Sequence, residues 1–214
     1  MKRWFLLTLI LSSGCLLSAQ HINSASVLEG MRNAIKQFPA AQLSFEFVAT
    51  DGSGSVSGEY SGMVATQGNA FKMVNEDMEI YCDGNSKWIF NKVAGELTIL
   101  PNDTTVNDIA ENPIGFLSRL GGEKSGYKYS GKPNDSKGLW EIELTPDSKR
   151  LPYKKVIVSV NKENLLPAAV RIVSGDGTVY RITVTNFRKA ALSEISAFAF
   201  PKMKMDGIVV TDLR

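Results

Sequence analysis

The spacing of apolar and polar positions changes character twice along the chain. Between Val27 and Phe38 the apolar residues Val27, Met31, Ala34, Ile35 and Phe38 recur at helical spacing, with Glu29, Arg32, Asn33, Lys36 and Gln37 between them. Ser26-Val27-Leu28-Glu29 has the S-x-x-E spacing of a capping box, which predicts the start of a short amphipathic helix, and Pro39 predicts its end. From Gln42 the period drops to two: Leu43, Phe45 and Phe47 share one face of a strand, while Ser44 and Glu46 take the other. Further strands are predicted over Glu59 to Thr66, Phe71 to Met73, Met78 to Cys82, Lys87 to Phe90 and Glu96 to Ile99. Short turn sequences separate them, among them Asp51 to Gly54 and the hairpin signal Asp83-Gly84, where the chain must accept positive φ. The pattern predicts a meander of antiparallel strands with one apolar face.

A break follows Pro101. Asn112-Pro113 pairs a capping residue with a proline suited to the first helical position, so Ile114, Phe116, Leu117 and Leu120 form a short apolar helix face that ends at Gly121-Gly122. Alternation then resumes over Tyr127 to Lys132, Leu139 to Thr145, Lys154 to Val160, Ala168 to Ser174 and Thr178 to Phe187, with a turn expected at Pro133-Asn134-Asp135. Trp140, Ile142 and Leu144 against Glu141, Glu143 and Thr145 give the cleanest alternation in the sequence. Regularly spaced strands suggest a barrel or a sandwich. Two short helices, one at the start and one interrupting the strands, are placed to cover the open mouth of a curved sheet.

The first residues stand apart from this pattern. Lys2 and Arg3, then the apolar Trp4 to Leu11, then small residues leading to Leu17-Ser18-Ala19-Gln20 have the order of a secretory signal peptide, with cleavage expected after Ala19. The apolar run is too short to span a bilayer. Ser12-Ser13-Gly14-Cys15 also resembles a lipobox that would make Cys15 a lipidated N-terminus, but Ser12 stands where that motif has Leu. The expected organisation is therefore 1–19 as signal and 20–214 as one exported domain. Removing Lys2 and Arg3 leaves 24 − 2 = 22 basic residues against 22 acidic ones, a formal net charge of zero. A neutral chain does not suit a role dominated by phosphate-backbone binding, so no nucleic-acid partner is expected. Cys82 would be the single mature cysteine, so no internal disulfide is expected, and it is read as a small buried packing residue.

Catalytic chemistry finds little material. The only histidine, His21, falls in the polar lead, so nucleophile–histidine constellations and the usual zinc sets are missing, and no metal or cofactor is expected. The glycines sit in hairpin turns rather than in a phosphate-binding strand-to-helix loop. Glu141 and Glu143 share one strand face, but that face is read as the wet one rather than as a glycosidase pair. An enzyme is not expected.

Laid out in this order, the residues resemble the LolA-like periplasmic lipoprotein carriers, and in particular Bacteroidetes-type forms. The resemblance rests on Phe71-Lys72-Met73, on Asp83 to Phe90 as a D-G-x-x-x-W-x-aromatic hairpin, on Asn112-Pro113 with Phe116 and Leu117, on Asp176-Gly177, and on Phe198 to Pro201 and Gly207 to Arg214 as closing strands. It implies a mainly β fold with short helices: a curved antiparallel sheet forming an open half-barrel, covered by two helical lid segments. It implies carriage of lipoprotein acyl chains from the inner to the outer membrane by a monomer. The inner-membrane lipoprotein-releasing complex would supply the cargo and an outer-membrane receptor would accept it. A lipid-sensing regulatory module, or a carrier of another acyl lipid, is the alternative on the same fold. The acyl cavity is then assigned to Phe45, Phe47, Phe71, Met73 and Ile80, with Trp88, Phe90, Trp140, Ile142 and Leu144. The lid is assigned to Val27, Met31 and Ile35 of the first helix and Phe116 and Leu117 of the second. One departure is visible: Gln67-Gly68 stands before the Phe71 strand where proteobacterial carriers commonly have Arg-Pro, so the arginine that holds their lid is not carried over, and Gln67 is the residue left to bond a lid backbone.

Overall fold

The computed structural model describes residues 22–102, 109, 112–122, 125–148, 153–191 and 198–214. The expected signal segment, Cys15 and His21 lie outside the described residues.

Helix α1 spans Ser24–Lys36 and begins earlier than its expected cap. Asn23 is the N-cap: its side-chain oxygen accepts the Ser26 backbone N–H at 2.8 Å, and Ser26 Oγ accepts the Asn23 N–H at 3.3 Å. Ser26 thus serves the third helical position instead of capping, because the side chain of Asn23, on an extended backbone, already accepts the exposed N–H in the first turn. Strands β1 (Ala40–Thr50), β2 (Val56–Gln67), β3 (Ala70–Asn75), β4 (Met78–Cys82), β5 (Ser86–Asn91) and β6 (Glu96–Pro101) follow as the expected meander. Helix α2 (Pro113–Leu117) carries the expected cap, Asn112 Oδ1 accepting the Gly115 N–H at 2.8 Å.

The second half runs through β7 (Tyr127–Tyr129), β8 (Asn134–Ser136), β9 (Leu139–Pro146), β10 (Tyr153–Asn161), β11 (Pro167–Ser174) and β12 (Val179–Lys189). Here the expected strand over Tyr127 to Lys132 stops at Tyr129, and the expected turn at 133–135 is partly strand. Both β7 and β8 pair with β9, and residues 130–133 loop out opposite Ile142 and Glu143. The closing strands are also corrected. Described residues 198–201 are not strand; Lys202–Met205 form a 3-10 turn, and only β13 (Val209–Asp212) pairs.

Among the described residues thirteen strands form one sheet, ordered β13-β6-β5-β4-β3-β2-β1-β12-β11-β10-β9-β7, with β8 beside β7 on β9. Every pairing is antiparallel except β13 on β6, which is parallel, with Val209 opposite Glu96. The sheet does not close into a barrel. Its curvature follows from α2. This five-residue helix lies against β2, while its Phe116 ring meets Tyr127 of β7 at 5.7 Å. Six strand spacings separate β2 from β7, roughly 29 Å on a flat sheet, which no single turn of helix could bridge. The sheet therefore curls into a trough, and both helices sit inside it.

Candidate functional site

The trough lining can be read from the strand registers. On one wing Leu43 stands opposite Val64, Val64 opposite Met73, and Met73 opposite Ile80. On the other, Phe47 stands opposite Ile182, then Val170, Val158 and Ile142 follow strand by strand. A continuous apolar band thus crosses most of the sheet. Phe45, Phe71, Met73, Ile80, Ile142 and Leu144 are buried members of this one cluster, and Phe47 and Trp140 are half-buried against it. Phe47 stacks on Tyr60 with ring centres 4.5 Å apart, and the Lys162 ammonium lies 4.1 Å from the Trp140 ring centre. The β1–β2 contact is close: a β-carbon added at Gly62 would lie 2.5 Å from Phe45 Cζ, so the ring lies directly on the glycine backbone.

Trp88 and Phe90 are corrected off this list. The β4–β5 hairpin sets Ile80 opposite Ile89 and Tyr81 opposite Trp88, so an even-numbered residue of β4 faces an odd-numbered one of β5. Ile89 therefore joins the trough, and Trp88 and Phe90 project from the opposite, convex face. There they form a second cluster with Tyr81, Leu97, Ile99 and Phe200. Phe200 packs edge-on to Tyr81 and Phe90 at 5.4 and 5.3 Å, which fastens the C-terminal segment over the convex side. Alternation by itself cannot say which apolar set of a strand faces which side when both sides are covered. The turn at Asp83 to Asn85 sets the phase, and only the pairing reveals it.

The five expected lid residues, Val27, Met31, Ile35, Phe116 and Leu117, all bury into the trough cluster. Helix α1 is seated at three places. Its Ser24 N–H donates to the Gly131 carbonyl at 3.2 Å; a β-carbon at Gly30 would come 2.8 Å from Leu165 Cδ1; and one at Gly121, whose φ is +72°, would come 2.9 Å from Leu28 Cβ. Two polar atoms of this seat, Ser24 Oγ and Arg32 Nε, are buried without a hydrogen-bond partner among the described residues. Gln67, the residue left for lid bonding, is exposed at the β2–β3 turn. Cys82 is fully buried on the trough side. Glu143 lies on the wet face, as expected, 2.9 Å from Lys155. Among the described residues no group of three histidine, cysteine or acidic side chains could hold a metal ion.

The family model described as outer membrane lipoprotein carrier protein LolA matches residues 36–201. The chain belongs to the LolA family. No curated protein matches it by sequence. Among solved structures, this LolA family chain is similar to an uncharacterized conserved protein of Thermus thermophilus, at TM-score 0.55 and 11% identity over 88% of this chain and 98% of that one. It is also similar to a LolA superfamily protein of Nitrosomonas europaea (0.42, 15%, 80% and 95%) and to lipoprotein LppX of Mycobacterium tuberculosis (0.44, 12%, 78% and 96%). The family match spans α2 and all strands except β13, and it ends inside the C-terminal segment that covers the convex face. Within the LolA family chain, sequence reasoning missed Tyr60, Tyr127, Tyr153 and Tyr180, half-buried aromatics packed on the trough cluster. The alternation assigned them to no face, and a tyrosine that buries its ring while keeping its hydroxyl hydrogen-bonded fits either side of a strand.

Proposed function

We propose that this protein is exported by its N-terminal signal and carries the acyl chains of lipoproteins through the periplasm, from an inner-membrane releasing complex toward the outer membrane. The observation that supports this reading is the way the trough is filled. A single open sheet has no second sheet to complete its interior, and two short helices take that place. Val27, Leu28, Met31 and Ile35 of α1 bury four apolar side chains, a gross gain of roughly 6–12 kcal/mol before ordering costs. An acyl chain of ~16 carbons offers about 12 kcal/mol on the same scale. The two are close enough that a guest chain can replace the helix in the trough and later be replaced by it. Ser24 Oγ and Arg32 Nε, without partners among the described residues, lower the barrier further, since each buried unsatisfied polar atom costs about 1–3 kcal/mol while α1 stays seated. Met31 and Met73, on lid and sheet, are unbranched and repack readily around chains of varied shape.

Native mass spectrometry of the protein purified from its own periplasm tests this. The expected result is a fraction carrying a co-purified acylated species. Repeated recovery of empty protein that also takes up no palmitoylated probe would overturn the proposal.

A further inference from the structure

Two tyrosine hydroxyl groups meet where their rings pack against the apolar trough. Tyr127 of β7 and Tyr153 of β10 stand oxygen to oxygen at 3.0 Å, and both rings are half-buried against the trough cluster. The register of β7 on β9 places Tyr129 opposite the buried Leu144, so Tyr127, two residues away, shares its trough-side face. Phe116 of α2 covers the Tyr127 ring edge-on. Burial, then the bond with Tyr153, pushes the Tyr127 hydroxyl above its ordinary titration range, so Tyr127 stays neutral.

Counting hydrogens gives the consequence. Two hydroxyls hold two hydrogens, and their mutual bond uses one. The other has no protein acceptor among the described residues and is left for water or a guest. Resting on the carrier reading above, we infer that the Tyr127–Tyr153 pair is a hydrogen-bond anchor for the carbonyl oxygen of an acyl ester or amide, exposed when α2 swings away with Phe116. The hydrocarbon tail would lie along the trough, and the pair would fix where the tail's polar end stops. Cargo would then be selected for an acyl linkage, not merely for greasiness.

The test compares two lipids of equal chain length in the same detergent, dipalmitoylglycerol with ester carbonyls and di-O-hexadecylglycerol with ether links. Their affinities are read by displacement of a fluorescent hydrophobic reporter from the full mature protein. The wild type should prefer the ester by about three- to tenfold, as one neutral hydrogen bond allows. Tyr127→Phe/Tyr153→Phe, which removes both donors, should bind both lipids equally, and the wild-type comparison stands by itself if that variant does not fold. Equal wild-type affinities, or a preference that survives in a folded variant, would overturn the anchor and leave the carrier intact. Failure of the wild type to bind either lipid would overturn the carrier reading and the anchor with it.

Discussion

Gly62 and Phe45 show how single positions shape the trough floor. Phenylalanine at position 45 has the size to span the curve of the sheet only because the neighbouring strand offers no side chain beneath its ring. Gly62→Ala would place a methyl carbon where the ring already sits. It should cost about 1–3 kcal/mol through overpacking, visible as a lower urea midpoint with an unchanged slope. A variant as stable as the wild type would mean that the ring has room to turn aside. The same scale explains what could be read from the residues and what could not. Phe45, Met73, Ile142 and Leu144 were legible because each sits in a strand with one polar and one apolar side. Trp88 and Phe90 were not, because the C-terminal segment gives β5 a second apolar partner on its far side. Gly62 was not legible either, since a glycine in a strand signals close approach without naming what approaches.

At the level of elements, the two helices and the sheet were anticipated from periodicity, and their contacts were not. The change from helical to alternating spacing near Pro39 marks the junction of α1 and β1 correctly, and Asn112-Pro113 marks α2. Nothing in the spacing says that α1 rests on the β10–β11 turn, where Leu165 closes over Gly30. That contact offers a lock. A β-carbon at position 30 would stand 3.8 Å from Leu165 Cγ, close to where a cysteine sulfur would lie, so Gly30→Cys/Leu165→Cys should form a disulfide. Oxidised protein, with α1 pinned in the trough, should lose at least about tenfold in affinity for a palmitoylated probe, and dithiothreitol should restore it. Native Cys82 is fully buried and stays out of the exchange. Full binding by the locked form would show that guest chains enter without displacing α1.

At the scale of the molecule, two apolar clusters of the described residues lie back to back on one sheet, and they differ in how they are fastened. The trough side is held mainly by packing. The convex side adds a polar clasp: Tyr81 donates to Glu79 Oε2 at 2.7 Å, and Lys204, from the C-terminal segment, reaches the same oxygen at 2.9 Å. Burial works to raise the Glu79 carboxyl, but the Tyr81 hydroxyl, Lys204 and Lys72 together outweigh it and hold it below its ordinary value of 4.5. A lowered carboxyl contributes stability above the unfolded value and loses it as pH falls through the folded one. Glu79→Gln should therefore destabilise the protein near neutral pH by on the order of 1 kcal/mol, seen as a lower melting temperature, and the gap to wild type should narrow as pH falls below 4.5. Calorimetry at about pH 7 and about pH 3.5 measures it, and a gap that stays constant would mean that the clasp carries no net charge effect.

The parallel seat of β13 on β6 has a consequence for the chain as it is made. Because β6 lies at the border of the sheet, its outer row of amides and carbonyls faces bare solvent until Val209 to Asp212 arrive from the far end of the sequence. During that interval the growing molecule presents an unguarded template on which a second chain could pair. β13, four residues long and ending at the Asp212–Arg214 ion pair, makes a shorter and more charged border than β6, and a copy lacking it would meet its neighbours through a longer open seam.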